Sequence, residues 1–148
     1  MSQGRKMGDR PGILFLCSRN AVRSPMAHAL ALRHFAHRRP VTSAGLEPGE
    51  LDPFAVAVMA EIGLDISGHR PHGLREIATG SQGTLVALSE EAKEAADRLE
   101  MPSGLVRLFW PISDPAREEG NREQRMAAYR TVRDELDRRI SDAFPIAG

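Results

Sequence analysis

The chain has 148 residues, the size of a single domain, and its 41% hydrophobic and 27% charged content is that of an ordinary globular protein. Twenty Lys and Arg offset twenty Asp and Glu, so the net charge is zero and electrostatic capture of nucleic acid or an anionic membrane is excluded as its organising principle. A lone cysteine, Cys17, excludes an internal disulfide framework and any cysteine cluster for zinc or iron and sulfur.

Residues 1–11 are polar, aperiodic and without an apolar signal core, which predicts a disordered lead-in, a catalytic domain over 12–148 and a cytoplasmic location. No apolar run reaches the roughly 20 residues that span a bilayer. Ile13 to Cys17 (ILFLC) is a continuous apolar run, as expected of a strand buried on both faces of a parallel sheet. A helix follows from Ser24 to about Arg38, with Ser24 as cap, Pro25 at the first helical position, and a stripe of Met26, Ala29, Leu30 and Phe35.

Pro40 to Ala44 is a second strand, and a helix from near Asp52 ends at Gly63. Thr84 to Leu88 and Leu105 to Trp110 are two more strands, separated by an Ala-rich helix that Ser89 caps. The last helix starts near Asn121, with Gln124 as capping-box partner, and runs to about Ile140. Strands alternating with helices predict an α/β domain, a three-layer sandwich around a four-stranded parallel sheet, with ligands at the carboxyl ends of the strands.

The first strand–helix connection carries the chemistry. Cys17-Ser18-Arg19-Asn20-Ala21-Val22-Arg23-Ser24 brings backbone N–H groups and a helix N-terminus to one small volume, a concavity suited to a tetrahedral oxyanion. The same field favours thiolate over thiol, and a thiolate beside a bound phosphate is a nucleophile aimed at phosphorus. Arg23 can return across the loop and hold two oxygens with its fork of donors, which Lys could not match. Neither a Walker pattern nor G-x-G-x-x-G is present.

CxxNxxRSxMA over Cys17 to Ala27, Ser43-Ala44-Gly45, LDPFAVAVMAEIGLDISGHR over Leu51 to Arg70, and Asp114-Pro115-Ala116 after Trp110 resemble the low-molecular-weight protein tyrosine phosphatases. Their fold is shared with the thiol-dependent arsenate reductases, and the resemblance covers nearly all of the chain beyond residue 12. It implies Cys17 as nucleophile, Arg23 as clamp and transition-state stabiliser, and Asp114 as the general acid. It also implies that Asn20, Ser24, Ser43 and His69 form a hydrogen-bond network shaping the loop. No cofactor and no metal are expected.

Several positions depart from the family pattern. Arg19 stands where glycine is usual, and His28 where glutamate is usual. The turn after the second strand has Leu46, Glu47 and Pro48, and Ala116 follows Asp-Pro, so the aromatic walls that flank a phosphotyrosine ring are expected to be absent. Ala116 is closer to the arsenate reductases, yet their two further redox cysteines are missing, and Ser89 stands where the first would be.

The leading expectation is a phosphomonoester hydrolase working through a phosphocysteine. The alternative is a single-cysteine arsenate reductase that draws on an external thiol, and a third reading is a non-catalytic oxyanion-binding module. The expected substrate is a phosphate ester or arsenate, with neither nucleic acid nor membrane as partner.

Overall fold

The computed structural model describes residues 11–99 and 103–146. The lead-in expected over 1–11 therefore lies, apart from Pro11, outside the described residues.

Four strands, β1 (Gly12–Cys17), β2 (Val41–Gly45), β3 (Gln82–Ala87) and β4 (Val106–Phe109), form one parallel sheet in the order β2-β1-β3-β4. The helices are α1 (Arg23–His34), α2 (Pro53–Ala60), α3 (Glu90–Arg98) and α4 (Arg122–Ala143). This is the expected three-layer arrangement. Ile13, Phe15 and Cys17 of β1 face a core shared with α1, α2 and α4, while Leu14 and Leu16 face a smaller core under α3. Side chains alternate along a strand, so a central strand covered on both faces must be apolar throughout, and every residue of β1 is buried.

The helix starts follow their caps. Asp52 accepts from Phe54 N, Ser89 from Ala92 N, and Asn121 and Gln124 close a reciprocal capping box. α4 buries Met126, Tyr129, Val132, Leu136 and Ile140, one stripe at helical spacing, against α1 and α2.

Two expectations at α1 need correction. The helix begins at Arg23, and Ser24 does not cap it; its hydroxyl is buried and turned to Cys17. The helix also stops at His34, four residues before Arg38, because Ala36 and His37 adopt left-handed backbone (φ 49° and 57°), which no α-helix can continue. α2 stops at Ala60 and reaches Gly63, at φ 80°, through a turn.

Strand order reverses at β1, whose neighbours β2 and β3 are reached in opposite directions, and a crevice opens at the carboxyl ends there. The connection leaving β2 lies directly on the loop leaving β1. A Cβ at Gly45 would sit 2.4 Å from the Arg19 carbonyl carbon and 2.6 Å from Asn20 N. Both are backbone atoms without room to move. Gly45→Ala is expected to cost about 1–3 kcal/mol through this overlap and to weaken anion binding. Denaturant midpoints and sulfate titration of the variant check both effects.

Candidate active site

The first loop is shaped by where its carbonyls point. Cys17 O and Ser18 O accept from Leu46 N, Ser18 O also from Glu47 N, Arg19 O from Gly49 N and Ala21 O from Asp52 N. The segment after β2 thus takes up the acceptors of the loop on its outer side. Among the described residues, the N–H groups of Arg19, Ala21, Val22 and Arg23 meet no protein acceptor. Carbonyls engaged by the segment after β2, and N–H groups without a protein partner, make this loop a candidate anion nest, continued by the positive end of α1.

Cys17, a residue only 2% exposed, places its Sγ in this loop. Asn20 N donates to it at 3.2 Å, and Ser24 Oγ stands 2.9 Å away. Asn20 Nδ2 donates to Ser24 Oγ at 2.6 Å, and Ser24 Oγ also donates to Ala44 O at 3.5 Å.

Asn20 itself sits at φ 55°, in the left-handed region that Asn tolerates better than most residues. Its Oδ1 accepts from His72 N at 2.8 Å and lies 3.0 Å from His69 Nε2. The structure therefore brings Asn20, Ser24 and His69 of the expected network together. Ser43 is one step removed, 2.9 Å from His28 Nδ1.

Arg23 is the first residue of α1, and its Nη1 donates to Ile112 O at 3.0 Å across the mouth of the nest. Asp114 lies two residues farther along that connection, where its Oδ1 accepts from Ala116 N at 3.0 Å and starts a single 3-10 turn, Pro115–Arg117. Cys17, Ser18, Arg19, Ala21, Val22, Arg23, Ser89 and Asp114 all line one open cleft of about 1050 Å³. Ser18 Oγ is 3.2 Å from Ser89 Oγ, so Ser89 stands at the edge of the loop. The Arg19 side chain lies against Gly49, where an added Cβ would come 2.8 Å from its Nε.

Sequence reasoning missed the third wall of the cleft. Asp52, Phe54 and Arg125 line it, and the buried Tyr129 donates to Asp52 Oδ2 at 2.5 Å. Burial and the Asp52 carboxylate push the Tyr129 hydroxyl far above its ordinary range, so it remains a donor. Asp52 was readable as the start of a helix. Its pairing with a tyrosine 77 residues later was not.

Comparison with known proteins agrees with this architecture. A family model described as low molecular weight phosphotyrosine protein phosphatase matches residues 12–144. The chain belongs to that family. An arsenate reductase of Halalkalibacterium halodurans is 35% identical over 128 residues, covering 86% of this chain and 91% of the relative. A solved arsenate reductase in a phosphate-binding state superposes with a TM-score of 0.71 at 27% identity, covering 89% of this chain and 95% of that one. A low molecular weight protein tyrosine phosphatase from T. tengcongensis shares the fold, with a TM-score of 0.76 at 23% identity over 89% of this chain and 96% of that one.

Within this phosphatase family, a member acting on an aryl phosphate needs a flat apolar wall. Leu46, Glu47 and Ala116, the residues from which no aromatic walls were expected, line the cleft. Phe54 does bring an aromatic ring, but Tyr129 stacks on it with centroids 5.3 Å apart, and the guanidinium groups of Arg125 and Arg122 stand 4.4 and 5.5 Å from its centroid. That ring is committed to its own neighbours. Among the described residues no helix is long and apolar enough to cross a membrane, and no group of three or more His, Cys, Asp or Glu is placed to hold a metal ion.

Proposed function

We propose that this protein reduces arsenate, with Cys17 as the nucleophile and an external thiol as the reductant. The observation that carries the reading is the seat of Cys17 Sγ, beside Asn20 N and Ser24 Oγ in a loop whose other N–H groups meet no protein acceptor, with Arg23 reaching across to Ile112 O. Two further facts favour arsenate over an aryl phosphate. The curated relatives at 35% identity are arsenate reductases, and the one aromatic ring among the described residues lining the cleft, Phe54, already packs on Tyr129 and Arg125.

The chemistry balances with thiols alone. The Cys17 thiolate attacks arsenic(V), forming an S–As bond while one oxygen is protonated and leaves as water. Arg23 holds two of the remaining oxygens, and Asp114 supplies the proton. An external thiolate then attacks Cys17 sulfur. The S–S bond forms, the S–As bond breaks, and its electron pair stays on arsenic, which departs as arsenite. A second external thiol cleaves the mixed disulfide and returns Cys17. The sum is one arsenate and two thiols giving arsenite, one disulfide and water. With a single cysteine in the chain the relay must be external, and the cleft leaves room for a thiol to reach the floor.

A second reading, hydrolysis of a phosphomonoester through a phosphocysteine, is favoured by Asp114, which lines the same cleft and suits the acid that protonates an ester oxygen. A paired assay decides: arsenate-dependent oxidation of a small thiol against release of phenol from an aryl phosphate, with one preparation. Arsenite formation that requires added thiol supports the reductase. Aryl phosphate turnover without it supports the hydrolase, and phosphate binding with neither activity leaves an oxyanion-binding module.

In the hydrolase reading Asp114→Ala is expected to cost ~10²- to 10⁴-fold for an alkyl phosphate, whose leaving oxygen needs a proton, and far less for a good phenolate. Rates against leaving-group acidity in both proteins check this. Parallel lines would remove Asp114 as the acid.

A further inference from the structure

Three imidazoles meet behind the loop, and none of them lines the cleft. His28 Nδ1, on α1, is 2.9 Å from Ser43 Oγ on β2. Its ring meets that of His69 edge-on, with centroids 6.0 Å apart at 81°, and His69 meets His72 in the same way at 6.3 Å and 77°. His69 Nε2 then reaches Asn20 Oδ1. Asn20 Nδ2 donates to Ser24 and its Oδ1 accepts from His72 N, so the proton between Oδ1 and His69 belongs to His69 Nε2.

We propose that His28 is a positioning residue for the oxyanion loop: set between Ser43 and the edge of His69, it holds the His69 ring in the orientation that presents Nε2–H to Asn20. The consequence runs through named contacts. Asn20 keeps its left-handed backbone because its side chain is held by His69, His72 N and Ser24. Ser24 in turn faces Cys17 Sγ. A loosened His69 therefore reaches the sulfur and the N–H groups around it without any contact between His28 and substrate.

His28 and His69 work as neutral rings. Burial, with His69 and then His72 adding to it, lowers His28 to about 4, and burial followed by His72 also lowers His69. The titratable groups facing His28 are these two, from the segment 66–73, while β2 contributes the uncharged Ser43 hydroxyl. Since the folded values lie below the unfolded ~6.5, protons favour the unfolded chain. Stability is complete above that pH and is lost as the pH falls from there towards 4.

The inference rests on the loop's being an oxyanion site, so the test begins with sulfate, whose charge does not change near neutral pH. Sulfate affinity by calorimetry and the histidine ¹⁵N–¹H spectrum are measured for the full chain, His28→Ala and His28→Gln. His28→Ala is expected to bind sulfate about 3- to 10-fold more weakly, the equivalent of one net hydrogen bond, and to lose the single Nε2–H signature of His69. His28→Gln, whose amide can still meet Ser43, is expected to restore both. Its thermal midpoint should also fall less than that of the wild type between about pH 6.5 and 5.

Unchanged sulfate affinity or an unchanged His69 signature in His28→Ala overturns the proposal. If that variant does not fold, His28→Gln decides alone, and a midpoint as acid-sensitive as the wild type overturns it. No sulfate binding by the wild type overturns the oxyanion site itself together with this inference, a result distinct from normal wild-type binding with indifferent variants.

Discussion

Cys17→Ser is expected to bring both arsenate-dependent thiol oxidation and aryl phosphate hydrolysis below about 1% of the wild type, because a hydroxyl is far less ionised and a poorer nucleophile. Sulfate binding should survive. The N–H groups that form the nest belong to the backbone, and the partners now facing sulfur, Asn20 N and Ser24 Oγ, can face an oxygen of similar size. The pairing of lost turnover with kept binding separates a nucleophile from a packing residue, which would lose both through disorder. Stopped assays with each substrate and a sulfate titration of the same sample check it. Turnover above that level would remove covalent catalysis from the account in either reading.

Arg23→Lys is expected to lower turnover by ~10²- to 10³-fold, in the range for loss of one preorganised donor to developing negative charge. The charge is unchanged, so the loss measures geometry. A guanidinium presents several donors in a fixed plane and can hold two oxygens at once, whereas an ammonium is a point charge on a flexible stem. The same fork now donates to Ile112 O, which ties the loop after β1 to the connection carrying Asp114. Lysine would lose that reach as well. Steady-state kinetics should show the decrease mainly in kcat, with a thermal midpoint close to the wild type. Near-normal turnover would confine Arg23 to holding the two connections together.

Much of the site was legible because its parts are local. Cys17, Arg23 and Ser24 lie within eight residues between an apolar run and a helix, and that order alone places a sulfur, a guanidinium and a helix N-terminus around one volume. The caps at Asp52, Ser89 and Asn121 are equally local, since each side chain meets an N–H two or three residues ahead. Even so, Ser24 shows where a local rule yields. A serine before proline reads as a cap, but burial beside Cys17 gives its hydroxyl a partner in sulfur, and the helix starts one residue earlier.

The alternation of strand and helix periods determined by itself the α/β fold, and the order of residues after the first strand marked that loop as the candidate anion site. These features depend on neighbours a few residues apart, and such distances are readable along a chain. Only the tertiary structure decided which way the loop carbonyls turn, because Leu46, Glu47, Gly49 and Asp52 draw them outward across a strand crossover. It also decided that Phe54 is occupied by Tyr129 and Arg125, and that His28 meets Ser43 and His69. Each of those contacts joins residues on different elements, and its existence depends on how the elements pack rather than on any spacing in the sequence.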